Sequence, residues 1–184
     1  PKNFYPTYDG AVPASRALAR SLNVPAVRML QSYGIAKFHY ALNKIGLTTI
    51  TRPPESYGLS LILGGAESTL WDLAGVYSSM ARSLNHFRSL QSRYNRLDYH
   101  LPTYIYDTTR KEPIVDDHSI LGAASIFLTF EAMREVARPD EQSGWKYFAS
   151  TRSVAWKTGT SYGHRDAWAI GLNPKHVVAV WVGN

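Results

Sequence analysis

The sequence predicts an α+β fold in which a mainly helical part precedes an antiparallel sheet. Apolar residues recur at helical spacing through 14–137, whereas 154–184 alternates short Val-, Trp- and Ala-rich runs with turn residues. Hydrophobic residues make up 45% of the 184 residues, enough for a core, and charged residues only 18%. Helices first and strands last is the order of an α+β domain.

The helical part divides at its glycine and proline residues. Pro25 suits the first turn of a helix and Gly34 suits a helix end. Ser68 is the predicted N-cap of a long helix. Residues 86–117 are polar and tyrosine-rich, which predicts loop with short strands. The predicted helices cover 14–22, 25–32, 35–44, a long helix after residue 68, and 119–136.

Three short segments predict the sheet. Residues 154–160, 167–172 and 177–182 have the composition of strands, since they are rich in Val, Trp and Ala. The connections at 163–165 and 173–175 contain the Gly, Asn and Pro of tight turns. Short connections of this kind join antiparallel neighbours.

Composition and charge restrict the chemistry. The chain has no cysteine, which excludes disulfides, thiolate metal sites and a cysteine nucleophile. The net charge of +6 fits simple solubility, or binding to nucleic acid, anionic lipid or an acidic cell-wall polymer. Lysine and arginine are scattered, so we expect no nucleic-acid partner. Asp116-Asp117-His118 has no further clustered ligands, so we expect no metal and no cofactor.

The strongest chemical signal is Lys157-Thr158-Gly159-Thr160, on the first predicted strand. Lys157 offers a cation for a substrate carboxylate, and the missing side chain at Gly159 lets a ligand backbone approach. An extended peptide can then pair with the strand edge. Thr160 offers a hydroxyl and a backbone N–H for a developing oxyanion. Alone, these four residues also fit a solvated turn.

A second run, Ser21-Leu22-Asn23, lies at the predicted break between two helices. A bend there exposes both polar side chains on one edge, as a site requires, although ordinary helix capping would use the same residues. Residues 83–85 repeat the letters SLN near the end of the long helix. We favour Ser21 because a Val-Pro pair follows its run.

Three stretches resemble class A penicillin-binding proteins. Residues 21–27 (SLNVPAV) resemble the second motif of that family, and 63–74 (LGGAESTLWDLA) resemble one of its helix starts. Residues 157–171 resemble the third motif of its penicillin-binding protein 1C subgroup. The resemblance is weakest at 86–117. It implies a penicillin-binding transpeptidase or serine β-lactamase-like fold, of which 1–184 would be one partial transpeptidase domain.

The resemblance also implies an activity. The parent would be a D,D-transpeptidase that cross-links peptidoglycan stem peptides through a serine acyl-enzyme and is acylated by β-lactam antibiotics. It would be membrane-anchored, carry a glycosyltransferase domain, and work at the periplasmic face of the inner membrane. No cofactor is implied.

The resemblance implies roles residue by residue. Ser21 would relay a proton between the catalytic lysine and the leaving amine, and Lys157 would supply positive potential beside it. Asn23 would hydrogen-bond the amide of the donor peptide, and the N–H of Thr160 would complete an oxyanion hole. The residues implied to bind substrate are Asn23, Thr158, Gly159 and Thr160.

The family's first motif, S-x-x-K, does not precede Ser21. The only serine upstream is Ser15, and Leu18 stands where the lysine would be. One S-x-x-K string occurs at 143–146, in a predicted loop, without the rigid helical spacing that a nucleophile and its base need. We therefore expect a parent truncated upstream of its nucleophile, and a chain that is inactive alone and forms no β-lactam adduct.

Alternatives stay open. A D,D-carboxypeptidase or β-lactamase uses the same three motifs with water as acceptor, but the SLNVP form favours the transpeptidase. A non-catalytic cell-wall or β-lactam-sensing module of the same fold would also suit a missing nucleophile. An unpaired sheet edge would allow self-association. The tyrosine-rich stretch 94–106 fits a plain surface loop, or a carbohydrate or protein contact surface.

Overall fold

The structure, a computed structural model, describes residues 10–105, 112–136, 154–161, 163 and 165–183. Short 3-10 segments at Gly58–Leu63 and Arg96–Asp98 accompany the helices and strands. The helices are α1 (Ala14–Ala19), α2 (Asn23–Tyr33), α3 (Ile35–Lys44), α4 (Pro54–Tyr57), α5 (Leu70–Ser89) and α6 (Ala123–Arg134), and the strands are β1 (Tyr94–Asn95), β2 (Val115–Asp116), β3 (Ala155–Thr160), β4 (Asp166–Leu172) and β5 (Val177–Gly183).

The last strands form one antiparallel sheet in the order β3-β4-β5. Lys157 is paired with Ile170, and Thr160 with Ala167. The short β1 and β2 pair separately, within the stretch predicted to hold short strands. Helices followed by an antiparallel sheet confirm the predicted α+β class. No helix in the described ranges is both long and apolar enough to cross a bilayer.

Helix bounds were predicted best for α3, whereas the helix predicted over 119–136 is shorter in the structure, Ala123–Arg134. α3 has the predicted limits 35–44, between Gly34 and Gly46. α1 ends at Ala19 rather than residue 22, because the chain turns at the next residues. α2 begins at Asn23 rather than Pro25. The first N–H groups of a helix need no intrahelical partner, so proline is accepted anywhere in the first turn.

The N-cap of α5 is Thr69, so the prediction of Ser68 was wrong by one residue. Thr69 Oγ1 accepts a hydrogen bond from the N–H of Asp72 at 2.9 Å. The buried Asp72 carboxylate then accepts from the N–H and hydroxyl of Thr48, at 3.0 and 2.6 Å. Thr69 and Asp72 have the spacing of a capping box, but the Asp72 carboxylate bonds to Thr48 in the loop after α3. These bonds fasten that loop to α5.

Two buried clusters form the core. The first lies among α2, α3, α4 and α5 and includes Leu30 and Val76. The second joins Met133 of α6 to Ala155 of β3, and Leu18 of α1 packs against it. Burial of apolar side chains contributes about 25 cal/mol per Å² removed from water. The second cluster therefore holds the end of α1 beside β3.

A buried polar group anchors the second 3-10 segment to α5. Asp98 is only 1% exposed, and its Oδ1 lies 2.5 Å from Nδ1 of His86. The Arg82 guanidinium donates to the backbone carbonyl of Asp98 at 2.9 and 3.1 Å. Buried polar groups need such partners, so these bonds fix the position of the segment against the long helix.

We expect Asp72→Ala to lower the free energy of unfolding by about 1–3 kcal/mol, because the part-buried donors of Thr48 lose their acceptor. Chemical denaturation of the purified chain measures the change. Asp117→Ala, which removes an exposed carboxylate, is the control and is expected to stay within about 0.5 kcal/mol. Equal effects of the two substitutions would contradict the anchoring role of Asp72.

Candidate active site

α1 ends in a turn that holds Ser21 in the left-handed region, with φ 52°. The N–H of Ser21 donates to the carbonyl of Leu18 at 3.0 Å, and the N–H of Leu22 to that of Ala17 at 2.9 Å. This pair of bonds is the Schellman arrangement, in which the left-handed position usually holds glycine. A serine there costs on the order of 1–2 kcal/mol. Such backbone outliers cluster at functional sites, which points to a role for the hydroxyl.

Lys157 Nζ contacts the Ser21 hydroxyl, which lies 136 residues earlier in the sequence. The same ammonium donates to the carbonyl of Thr158 at 2.7 Å. Ala155 and Lys157 share one face of β3, because strand side chains alternate. Ala155 belongs to the cluster that Leu18 packs against, so the packing sets the distance between α1 and Lys157.

Burial affects the protonation of Lys157. Desolvation lowers the pKa of Lys157 below its ordinary value of 10.5. The charged form is therefore held less firmly than in water, and the ammonium gives up a proton more readily. No described carboxylate forms an ion pair with it. A lysine in contact with a serine hydroxyl is thereby suited to proton transfer.

The sheet ends at β3 on the side of the candidate site, within the described part of the chain. The N–H of Ser161 donates to the carbonyl of Asp166 on β4 at 3.0 Å. Because backbone groups alternate along a strand, those of Thr160 and Thr158 point the other way, toward the open edge. Both threonines are exposed. The N–H and C=O of Thr160 and the N–H of Thr158 can pair with an added strand, whereas the C=O of Thr158 already accepts from Lys157.

Packing within the described chain does not require glycine at 159. A Cβ added to Gly159 would meet only Trp168 Cβ, at 3.7 Å, an ordinary contact. Glycine inside a strand often marks the close approach of a ligand or another backbone. The structure therefore leaves space at Gly159 that a side chain could occupy.

Sequence reasoning missed the residues that close the β3–β4 hairpin. The N–H of Asp166 donates to the Ser161 hydroxyl at 2.9 Å, and Trp181 Nε1 donates to Asp166 Oδ1 at 2.9 Å. Hydrogen bonds from Ser161 and then Trp181 lower the pKa of the Asp166 carboxyl. Ser161 and Asp166 flank the turn, but nothing local in the sequence indicated that they bond across it.

The other predicted residues are placed as follows. Asn23, half-buried, is the first residue of α2. Ser83, in the second SLN run, is fully buried in α5, whereas Ser21 is exposed at the helix break. The S-x-x-K string at 143–146 lies outside the described residues. In the described ranges, Asp116-Asp117-His118 is not part of a group of three or more His, Asp or Glu suited to a metal.

Curated relatives match the whole chain. It is 35% identical over 183 residues to penicillin-binding protein 1C of Escherichia coli (strain K12), and it covers 21% of that protein. It is 27% identical over 191 residues to penicillin-binding protein 1A of Neisseria meningitidis serogroup B, and covers 22% of it. Penicillin-binding protein 1B of Vibrio cholerae is 28% identical over 188 residues, with 22% covered. The chain thus spans about a fifth of the length of these relatives. No protein-family model matches it.

Solved structures share the fold. Penicillin-binding protein 1A from Haemophilus influenzae aligns over 100% of this chain and 31% of its own, with a TM-score of 0.67 and 19% identity. PBP2 of Pseudomonas aeruginosa, in complex with WCK 5153, aligns over 99% of this chain and 47% of its own, with a TM-score of 0.67 and 20% identity. Penicillin-binding protein A from M. tuberculosis, as an imipenem acyl-enzyme complex, gives a TM-score of 0.65 at 19% identity, covering 99% of this chain and 45% of its own.

We expect Ser21→Gly to raise the free energy of unfolding by about 1 kcal/mol, because glycine fits the left-handed position without strain. Ser21→Ala is the matched variant, since it removes the same hydroxyl but keeps the Cβ that causes the strain. Chemical denaturation of both variants measures the difference. If the Ser21→Gly variant proved no more stable than the Ser21→Ala variant, the backbone at this position would not be strained.

Proposed function

Because the chain is homologous over its whole length to class A penicillin-binding proteins and has the fold of their transpeptidase domains, we propose that it is part of a peptidoglycan D,D-transpeptidase domain. The domain would act in the longer protein as a serine-type D-Ala-D-Ala transpeptidase that cross-links stem peptides. The observation that carries the proposal is the contact of Lys157 with Ser21 beside the open edge of β3. The longer protein would work at the periplasmic face of the inner membrane.

The donor stem peptide would lie along β3 as an added strand. Its backbone would pair with the open N–H and C=O of Thr160 and the N–H of Thr158, and Gly159 would leave room for the close approach. Its terminal carboxylate would bind the two threonine hydroxyls near the Lys157 charge. Asn23 would hydrogen-bond the donor amide from the start of α2. The N–H of Thr160 would face the oxyanion as it forms, where a preorganised donor is worth most.

Ser21 and Lys157 would move protons and would not form the acyl bond. A serine outside these 184 residues would attack the D-Ala–D-Ala carbonyl, and the terminal D-Ala would leave as an amine that takes its proton through Ser21. An amine of a neighbouring stem would then attack the acyl-enzyme, give up its proton by the same path, and complete the cross-link. The lowered pKa of Lys157 supports such a relay.

β-Lactams would acylate the same serine of the longer protein. A structural neighbour of the chain is an imipenem acyl-enzyme complex, which supports the assignment for this fold. The second candidate is a non-catalytic module that binds cell wall or senses β-lactams.

We expect the 184-residue chain to gain no mass when incubated with benzylpenicillin, and the longer protein to gain one penicilloyl group on a serine of an upstream S-x-x-K motif. Lys157→Met should slow this acylation by about 100-fold or more, as expected for loss of a proton-transfer group. Intact-mass kinetics measure both effects, and Lys175→Met, in the β4–β5 turn, is the control.

Two results would contradict the proposal. An adduct on the 184-residue chain would place the nucleophile within it. A well-folded longer protein without any adduct would favour the non-catalytic module.

A further inference from the structure

A second candidate binding region lies away from Ser21 and Lys157. It is an open groove of about 850 Å³ between α3 and two short segments, 95–99 and 118–120. α3 directs Ile35, Phe38 and Leu42 toward the first core cluster. The helical period then places another set of side chains on the groove side. The residues on this wall, with the last residue of α2, are Tyr33, Lys37, Tyr40 and Lys44.

The groove carries more positive than negative charge. The opposite wall contributes Arg96 and His118. Both lie beside one carboxylate: Arg96 Nε contacts Asp116, and His118 Nδ1 is 3.7 Å from Asp116 Oδ1. Lys44 Nζ lies 5.4 Å from the centre of the Tyr40 ring. Neither lysine of the α3 wall forms an ion pair with any carboxylate that the structure describes.

The groove also presents aromatic faces to solvent. Tyr33 is 55% exposed and Tyr40 is 64% exposed, although α2 buries Leu30 in the first core cluster and Phe38 of α3 packs against that cluster. An aromatic ring offers a flat apolar face and a polar rim, which suits a sugar ring with its C–H face and hydroxyl edge. Unpaired lysines suit carboxylates, through charge-assisted hydrogen bonds.

We infer that this groove binds a carboxylate-bearing oligosaccharide, with sugar rings on the two tyrosines and carboxylates on Lys37 and Lys44. Single-stranded nucleic acid also stacks on aromatic rings, but it needs a cationic track for its backbone. Two unpaired lysines are too few for that. The choice of a cell-wall glycan rests on the proposed function, because a transpeptidase meets glycan strands whose sugars carry peptides with free carboxylates.

Isothermal titration calorimetry with a defined probe tests the inference. The probe is the disaccharide–tetrapeptide that a muramidase releases from peptidoglycan. Tyr40→Ala and Lys44→Met should each weaken its binding about tenfold or more, since each removes a contact of about 1.5 kcal/mol. The control Lys175→Met, an exposed lysine in the β4–β5 turn, should leave the affinity unchanged. Circular dichroism of each variant checks its fold.

Partial probes separate the two kinds of contact. A neutral chitotetraose and the free tetrapeptide should each bind about tenfold or more weakly than the disaccharide–tetrapeptide. An affinity that neither groove substitution changes would overturn the inference, as would tighter binding of a single-stranded oligonucleotide. No β-lactam enters this measurement, so a failed acylation and a failed glycan titration are independent results.

Discussion

The contact between Ser21 and Lys157 is the constraint on which the candidate site depends, because it joins two parts of the chain 136 residues apart. The Schellman turn after α1 orients the serine, and the alternation of β3 orients the lysine. The cluster around Met133 and Ala155 brings the two elements together. The site is therefore a product of long-range packing, and the strain at Ser21 is tolerated because the surrounding bonds determine the turn.

The open edge of β3 has a different character from the other edge of the described sheet. Unpaired strand edges invite aggregation unless they are short, polar or covered. β3 presents exposed threonines and a glycine there, which suits a transient peptide partner. β5 instead exposes Val178 and Val182, at 63% and 66%. Self-association of the chain through an edge stays a prediction.

Local signals in the sequence were sufficient for most elements but not for the site geometry. Gly34 and Gly46 bracket α3, and runs rich in Val, Trp and Ala between turn residues define the strands, so these were predicted closely. The left-handed backbone of Ser21 had no local signal, because that position normally holds glycine. Thr69 rather than Ser68 is the N-cap of α5 because the N–H of Asp72 donates to the Thr69 hydroxyl, and the two neighbouring hydroxyl residues look alike in the sequence. The groove joins α3 to residues more than fifty positions later, which periodicity alone does not reveal.

The most direct test of the account asks whether Ser21 and Lys157 act as one unit. The rate of acylation by benzylpenicillin is measured in the longer protein for the wild type, Ser21→Ala, Lys157→Met and the double variant. Residues that share one proton path are strongly non-additive, so the double variant should be no slower than the slower single variant. Losses that multiply would show two independent roles and would contradict the account.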